Sequence, residues 1–154
     1  RDIPREKALE HIFGYTIIND WSARDLQGEE MKVMLGPAKG KDFATSMGPL
    51  LVTKDEWDPY LTGEGLRYDR KTALTLNGKK LRENNLKVIH HDFASMIERA
   101  SEDVTLYPGE LLGSGTIGGG CILEYEPGSI PWLKGGDCDE MEVDGLGCLR
   151  GFVD

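Results

Sequence analysis

The sequence predicts an α+β fold, mostly β with helices at its margins, and three observations carry that reading. Short β-prone segments recur along the chain, separated by long Gly- and Pro-rich connections. Asn77-Gly78, the preferred pair for a type I′ turn, sits between flanks that alternate apolar and polar residues. Only two stretches carry apolar residues at helical spacing, near residues 2–12 and 92–100.

The elements follow in order. Asp2 is placed to cap a short helix with Pro4 in its first turn and Ala8, Leu9 and Ile12 as its apolar stripe. Phe13 to Ile18 reads as a buried strand, and Trp21 to Gln27 as one or two helical turns. Residues 28–49 are rich in Gly and Pro and weakly periodic, so a loop is expected before a strand at Leu50 to Thr53. The hairpin around Asn77-Gly78 would bring Leu74 and Leu81 together on one face. Asp92 caps an amphipathic helix whose inner face is Phe93, Met96, Ile97 and Ala100. Strands are expected at 109–115, 121–126 and 141–153, with a turn-rich insertion at 127–140. The 154 residues make a single domain by length.

Composition narrows the function. With 39% hydrophobic and 29% charged residues and a net charge of -9, the chain reads as soluble and globular. Nothing concentrates Lys and Arg for phosphate contacts, so no nucleic-acid partner is expected. Neither an anionic membrane surface nor a spanning helix of about 20 apolar residues suits this sequence. Three cysteines without a Cys-x-x-Cys pair favour neither a disulfide scaffold nor zinc, and a reducing cytoplasm is the expected compartment.

Four places could carry chemistry. Asp20 ends an apolar strand, where a carboxylate serves a hard metal ion or caps the turn beginning at Trp21. Arg24 and Asp25 read as an ion pair. Lys41 and Thr45 place an ammonium and a hydroxyl in a Gly-punctuated loop, suited to an anion or simply to solvent. The glycines at 113, 115, 118, 119 and 120 allow backbone N–H groups close to a ligand, or a tight turn with a bulge. No helix is expected after them, which excludes a dinucleotide fingerprint. Glu124 follows in an apolar context and needs solvent or a partner. His90-His91 lacks a second set of metal spacing and reads as surface.

The stretches "GYTIINDWSARDLQ", "LGPAKGKDFATSMGPLLVT", "LNGKKLRENN", "YPGELLGSGTIGGG" and "ILE" resemble, in order and spacing, the fumarylacetoacetate hydrolase family. The likeness runs from about His11 to Phe152, and the Trp21 and "SGTIGG" forms are similar to the fumarylacetoacetase-like branch. It implies a mixed β-roll and an enzyme, usually dimeric, that uses Mg²⁺ or Ca²⁺ to cleave a carbon–carbon bond in a β-diketo acid. By this resemblance Asp20, Lys41 and Thr45 belong at the metal, and Lys41 with Gln27 meets the oxyanion. Thr116 contacts substrate and Glu124 orients a catalytic histidine. Residue 31, a Tyr in members specific for fumarylacetoacetate, is Met31 here; it donates no hydrogen bond, so an acylpyruvate or other short β-keto acid suits the chain at least as well as fumarylacetoacetate. A decarboxylase or hydratase-like isomerase of the same family, or a non-catalytic piece of an assembly, are the competing readings.

The family's catalytic His and Glu-x-Glu ligands have no counterpart before Asp20, and Glu140-Met141-Glu142 stands out of family order as a strand with exposed acids. The chain, which does not open with Met, is therefore expected to be a piece of a longer polypeptide and inactive alone, with an upstream segment supplying those groups. Pro131-Trp132-Leu133 could serve a homodimer contact or cover the chain's own core.

Overall fold

Apolar alternation in Tyr15, Ile17 and their neighbours sets the centre of the molecule. The computed structural model describes residues 1–34, 36–63 and 66–154. A 3₁₀ helix, Arg5–His11, leads into β1 (Gly14–Asp20). Then come α1 (Arg24–Glu30), a 3₁₀ turn at Met31–Val33, α2 (Lys39–Asp42), β2 (Thr45–Thr53) and α3 (Lys54–Trp57). Strands β3 (Lys71–Leu76) and β4 (Lys79–Asn85) precede α4 (Phe93–Ser101), and β5 (Cys138–Val143) and β6 (Gly147–Phe152) close the chain.

The fold is α+β. Among the described residues, the strands form two antiparallel sheets, β1-β2 and β4-β3-β5-β6. Asn77 and Gly78 both adopt positive φ, 51° and 76°, as a type I′ turn requires. A register shift between Leu74 and Thr75 pairs Leu74 with Arg82, so Leu81 is not its direct opposite as the alternation suggested.

Tyr15 and Ile17 point inward from β1 and meet Trp57, Tyr68, Leu86, Val143 and Leu146. Tyr15 stacks on Trp57 with centroids 4.6 Å apart, and its hydroxyl donates to that of Tyr68 at 2.8 Å. Burial, reinforced by Tyr68, pushes the Tyr15 phenol up, so this buried pair stays neutral. A second cluster, Ile3, Ala8, Ala94 and Ile97, packs the N-terminal turn on α4. Each fully buried Ile or Leu here is worth about 1.5–3 kcal/mol.

Several sequence expectations change. Asp2 does not cap the first helix: Pro4 precedes it, and Asp2 Oδ1 accepts from Asp103 N at 2.8 Å instead. Phe13 lies outside β1 and is 74% exposed. The expected loop at 28–49 holds α2 and the first half of β2; Leu35, within it, lies outside the described residues. Residues 109–115 form no strand, and 121–126 hold a 3₁₀ turn, Ile122–Glu124. The side chain of Glu124 binds the backbone of its own loop there, which diverts the segment from a ladder.

The Asp92 cap is present, its Oδ1 accepting from Ser95 N at 2.8 Å, and Arg5 donates to Oδ2 at 2.5 Å. Burial opposes this charge, but Ser95 N–H and the Arg5 guanidinium outweigh it and hold the carboxyl below its ordinary range. The carboxylate therefore stabilises the fold fully above the ordinary carboxylate value and loses that effect as pH falls through the depressed one. Asp92→Ala should cost about 1 kcal/mol at neutral pH, and the gap in urea midpoint between variant and parent should narrow in acid.

Candidate functional site

Strand β1 ends at Asp20, and its antiparallel partner across the two-stranded sheet is Thr45, the first residue of β2. Asp20 does not cap α1, whose N-cap is Ala23 without a side-chain hydrogen bond. Its carboxylate, 56% exposed, instead accepts from Lys41 Nζ at 2.7 Å. The structure thus brings Asp20, Lys41 and Thr45 to one place.

Lys41 rides on α2, and the placing of that turn has an identifiable cause. The Glu30 carboxylate accepts from the backbone N–H groups of Ala38, Lys39 and Gly40 at 2.9, 2.6 and 3.2 Å. Those bonds, Ala38's foremost, hold the Glu30 carboxyl below its ordinary value. Gly40 then presses directly on α1: a Cβ there would stand 2.9 Å from Gln27 N and 3.1 Å from Gln27 Cβ. The turn that bears Lys41 can pack on Gln27 because residue 40 has no side chain. Met31 lies one helical turn beyond Gln27, on the same side, and is 47% exposed.

Arg24 is not paired with Asp25, contrary to the sequence expectation. Its guanidinium donates to Gln27 Oε1 at 2.5 Å and reaches Cys121 Sγ at 3.3 Å. This links α1 to the Gly-rich segment. There, Glu124 accepts from Gly119 N at 2.7 Å and Cys121 N at 3.2 Å, and Tyr125 OH donates to Gly119 O at 2.7 Å. Both Glu124 oxygens are engaged by the loop that carries exposed Thr116. No hydrogen bond joins Glu124 to a histidine among the described residues, and His90 and His91, edge to face at 4.6 Å, are exposed.

Among the described residues, no three His, Cys, Asp or Glu side chains gather to hold a metal ion. Asp20 and Thr45 offer one carboxylate and one hydroxyl, fewer oxygens than Mg²⁺ or Ca²⁺ takes, so these residues by themselves do not fit a divalent ion. Two contacts went unseen in the sequence, Trp21 Nε1 to Ser46 Oγ at 2.9 Å and Asn19 Nδ2 to Asp139 Oδ2 at 3.0 Å. Both join segments far apart in the chain, where local spacing carries no signal.

Known proteins share both sequence and fold with the chain. Residues 1–154 match the family model "Fumarylacetoacetate (FAA) hydrolase C-terminal". The chain belongs to the fumarylacetoacetate hydrolase family. It is 33% identical over 151 residues to a 2,4-didehydro-3-deoxy-L-rhamnonate hydrolase of Sphingomonas sp. (strain SKA58), covering 97% of this chain and 49% of that protein. Among solved structures, a fumarylacetoacetate hydrolase of psychrophilic Exiguobacterium antarcticum matches with TM-score 0.78 and 30% identity, over 100% of this chain and 51% of the other. A fumarylpyruvate hydrolase of Pseudomonas aeruginosa, in complex with Mn²⁺ and pyruvate, matches with TM-score 0.74 and 27% identity, over 97% and 57%. The chain spans about half the length of the curated relatives it matches. No helix among the described residues is long and apolar enough to cross a membrane.

Proposed function

We propose that this chain is the C-terminal catalytic portion of a divalent-cation-dependent hydrolase that cleaves a carbon–carbon bond in a short β-diketo acid. One observation carries the reading: Asp20 and Lys41 meet at 2.7 Å from distant segments, with Gln27 packed against the turn that bears Lys41. A hydrolase reading also suits the Sphingomonas relative and the Pseudomonas structure with its Mn²⁺ and pyruvate.

The chain's own residues divide the work. Lys41 and Gln27 donate to the oxygen that gains negative charge as the bond breaks, an effect worth about 3–4 kcal/mol per donor in a dry site. Arg24 occupies the Gln27 carbonyl, which leaves the amide NH₂ as the group that donates. Thr116, in the loop organised by Glu124, contacts the substrate, and Glu124 also orients a general base contributed from outside this chain. Met31 replaces a hydrogen-bond donor with a thioether, which favours acylpyruvates over fumarylacetoacetate.

Mg²⁺ or Ca²⁺ would be held by Asp20, beside Thr45 and Lys41, together with acids from an upstream segment, and when bound would supply Lewis-acid chemistry to the chelated keto oxygens. A homodimer completes the proposal, supported by exposed Leu50, Leu51 and Trp132. The intact protein, incubated with an acylpyruvate, should release pyruvate and a carboxylic acid, and should lose that activity in EDTA. Release of CO₂ from oxaloacetate without acylpyruvate cleavage would instead establish a decarboxylase.

A further inference from the structure

Asp139 is 8% exposed on β5, a strand position that faces the end of β1. Its Oδ2 accepts from Asn19 Nδ2 at 3.0 Å, while Oδ1, fully buried, has no hydrogen-bond partner among the described residues. Burial pushes this carboxyl up from its ordinary value. A half-satisfied buried carboxyl opposes folding, and an apolar residue would suit the position better.

The space around it is nonetheless shaped to hold it. A Cβ at Gly151 would fall 2.5 Å from Asp139 Oδ1 and 2.6 Å from Trp21 Cζ2, so β6 lacks a side chain where the carboxyl and the indole lie. Asp20 is bracketed by these contacts. The residue before it, Asn19, is tied to the four-stranded sheet, and the residue after it, Trp21, is tied to Ser46 of β2. Successive side chains of a strand alternate in direction, so holding Asn19 toward Asp139 turns Asp20 the other way, to Lys41.

We propose that Asp139 is a positioning residue for Asp20: it holds the Asn19 carboxamide across the join between the sheets and fixes the strand end from which Asp20 meets Lys41. This rests on the reading of Asp20 and Lys41 as site residues. Its energetic logic is that a group unfavourable for folding is retained where it sets geometry for another.

The test compares Asp139→Leu, Asn19→Ala and Asp139→Asn in the intact protein. Asp139→Leu and Asn19→Ala remove the contact from opposite sides, and Asp139→Asn keeps an acceptor for Asn19. The first readout is acylation of Lys41 by acetic anhydride, followed by peptide mass spectrometry. With Asp20 no longer fixed, the rate should rise about two- to five-fold in the Leu and Ala variants, the scale of a part-exposed ion pair, and stay at the parent rate in the Asn variant. The second readout is kcat for acylpyruvate, which should fall about ten-fold in the Leu and Ala variants at unchanged KM, and no further in their combination. The Leu variant should melt close to the parent, because loss of the half-satisfied carboxyl offsets the Asn19 amide left without its acceptor. Parent-like Lys41 acylation in both the Leu and Ala variants overturns the proposal, as does a lower melting point with unchanged kcat. Should Asp139→Leu fail to fold, Asn19→Ala decides. If the parent cleaves no diketo acid, the functional reading fails while the Lys41 rates still judge the positioning role.

Discussion

Asp20→Asn in the intact protein is expected to lower kcat/KM for acylpyruvate by about a thousand-fold, the kinetic equivalent of several kcal/mol of lost charge stabilisation. The substitution keeps the shape of the side chain and removes its charge. Lys41 would lose the carboxylate 2.7 Å from its ammonium, and the proposed cation would lose the ligand that this chain contributes. Stability should change little, because both groups reach solvent and such pairs contribute about 0–1 kcal/mol. Steady-state kinetics with the divalent ion in excess, alongside a thermal melt, measure both halves of the expectation. A variant within three-fold of the parent rate would remove Asp20 from the centre of the mechanism.

Trp57→Ala is expected to destabilise the fold by about 3–5 kcal/mol, the largest effect of any single truncation in this core. Trp57 is 1% exposed, stacks on Tyr15 and meets Tyr68 edge-on at 5.2 Å. Its removal opens a cavity beneath β1, and the Arg70 guanidinium, 5.3 Å from its ring, loses an aromatic face. Equilibrium urea denaturation checks it: the midpoint should drop while the slope stays constant. A loss below 1 kcal/mol would mean that the aromatic cluster is not the keystone of the β1 scaffold.

Asp20 also marks how far the sequence could be read. Asn77-Gly78 announced its hairpin because turn chemistry is local, and Asp92 announced its helix for the same reason. Asp20 was legible as the end of an apolar strand, and the resemblance of "NDWSARDLQ" and "GKDFATSMGP" implied that Lys41 lies near it at a metal, whereas the ion pair between the two is seen only in the structure. The misreadings have physical causes. "CILEYE" alternates like a strand, yet Glu124 satisfies backbone N–H groups of its own loop and the segment turns. "TSMGP" reads as a break, yet Thr45 pairs with Asp20 and the strand runs through it. Asp139 gives no sign at all: it falls in the expected turn-rich insertion at 127–140, yet β5 begins at Cys138 and the neighbouring sheet buries it.

The grip of Glu30 on the three amides that open α2 has an engineering consequence. Helices α1 and α2 form a paired cassette, in which Glu30 and the contact of Gly40 with Gln27 set the spacing of the two proposed donors. Exchanging that cassette together with Met31 between relatives should therefore transfer the substrate preference proposed for residue 31 without readjusting Gln27 against Lys41.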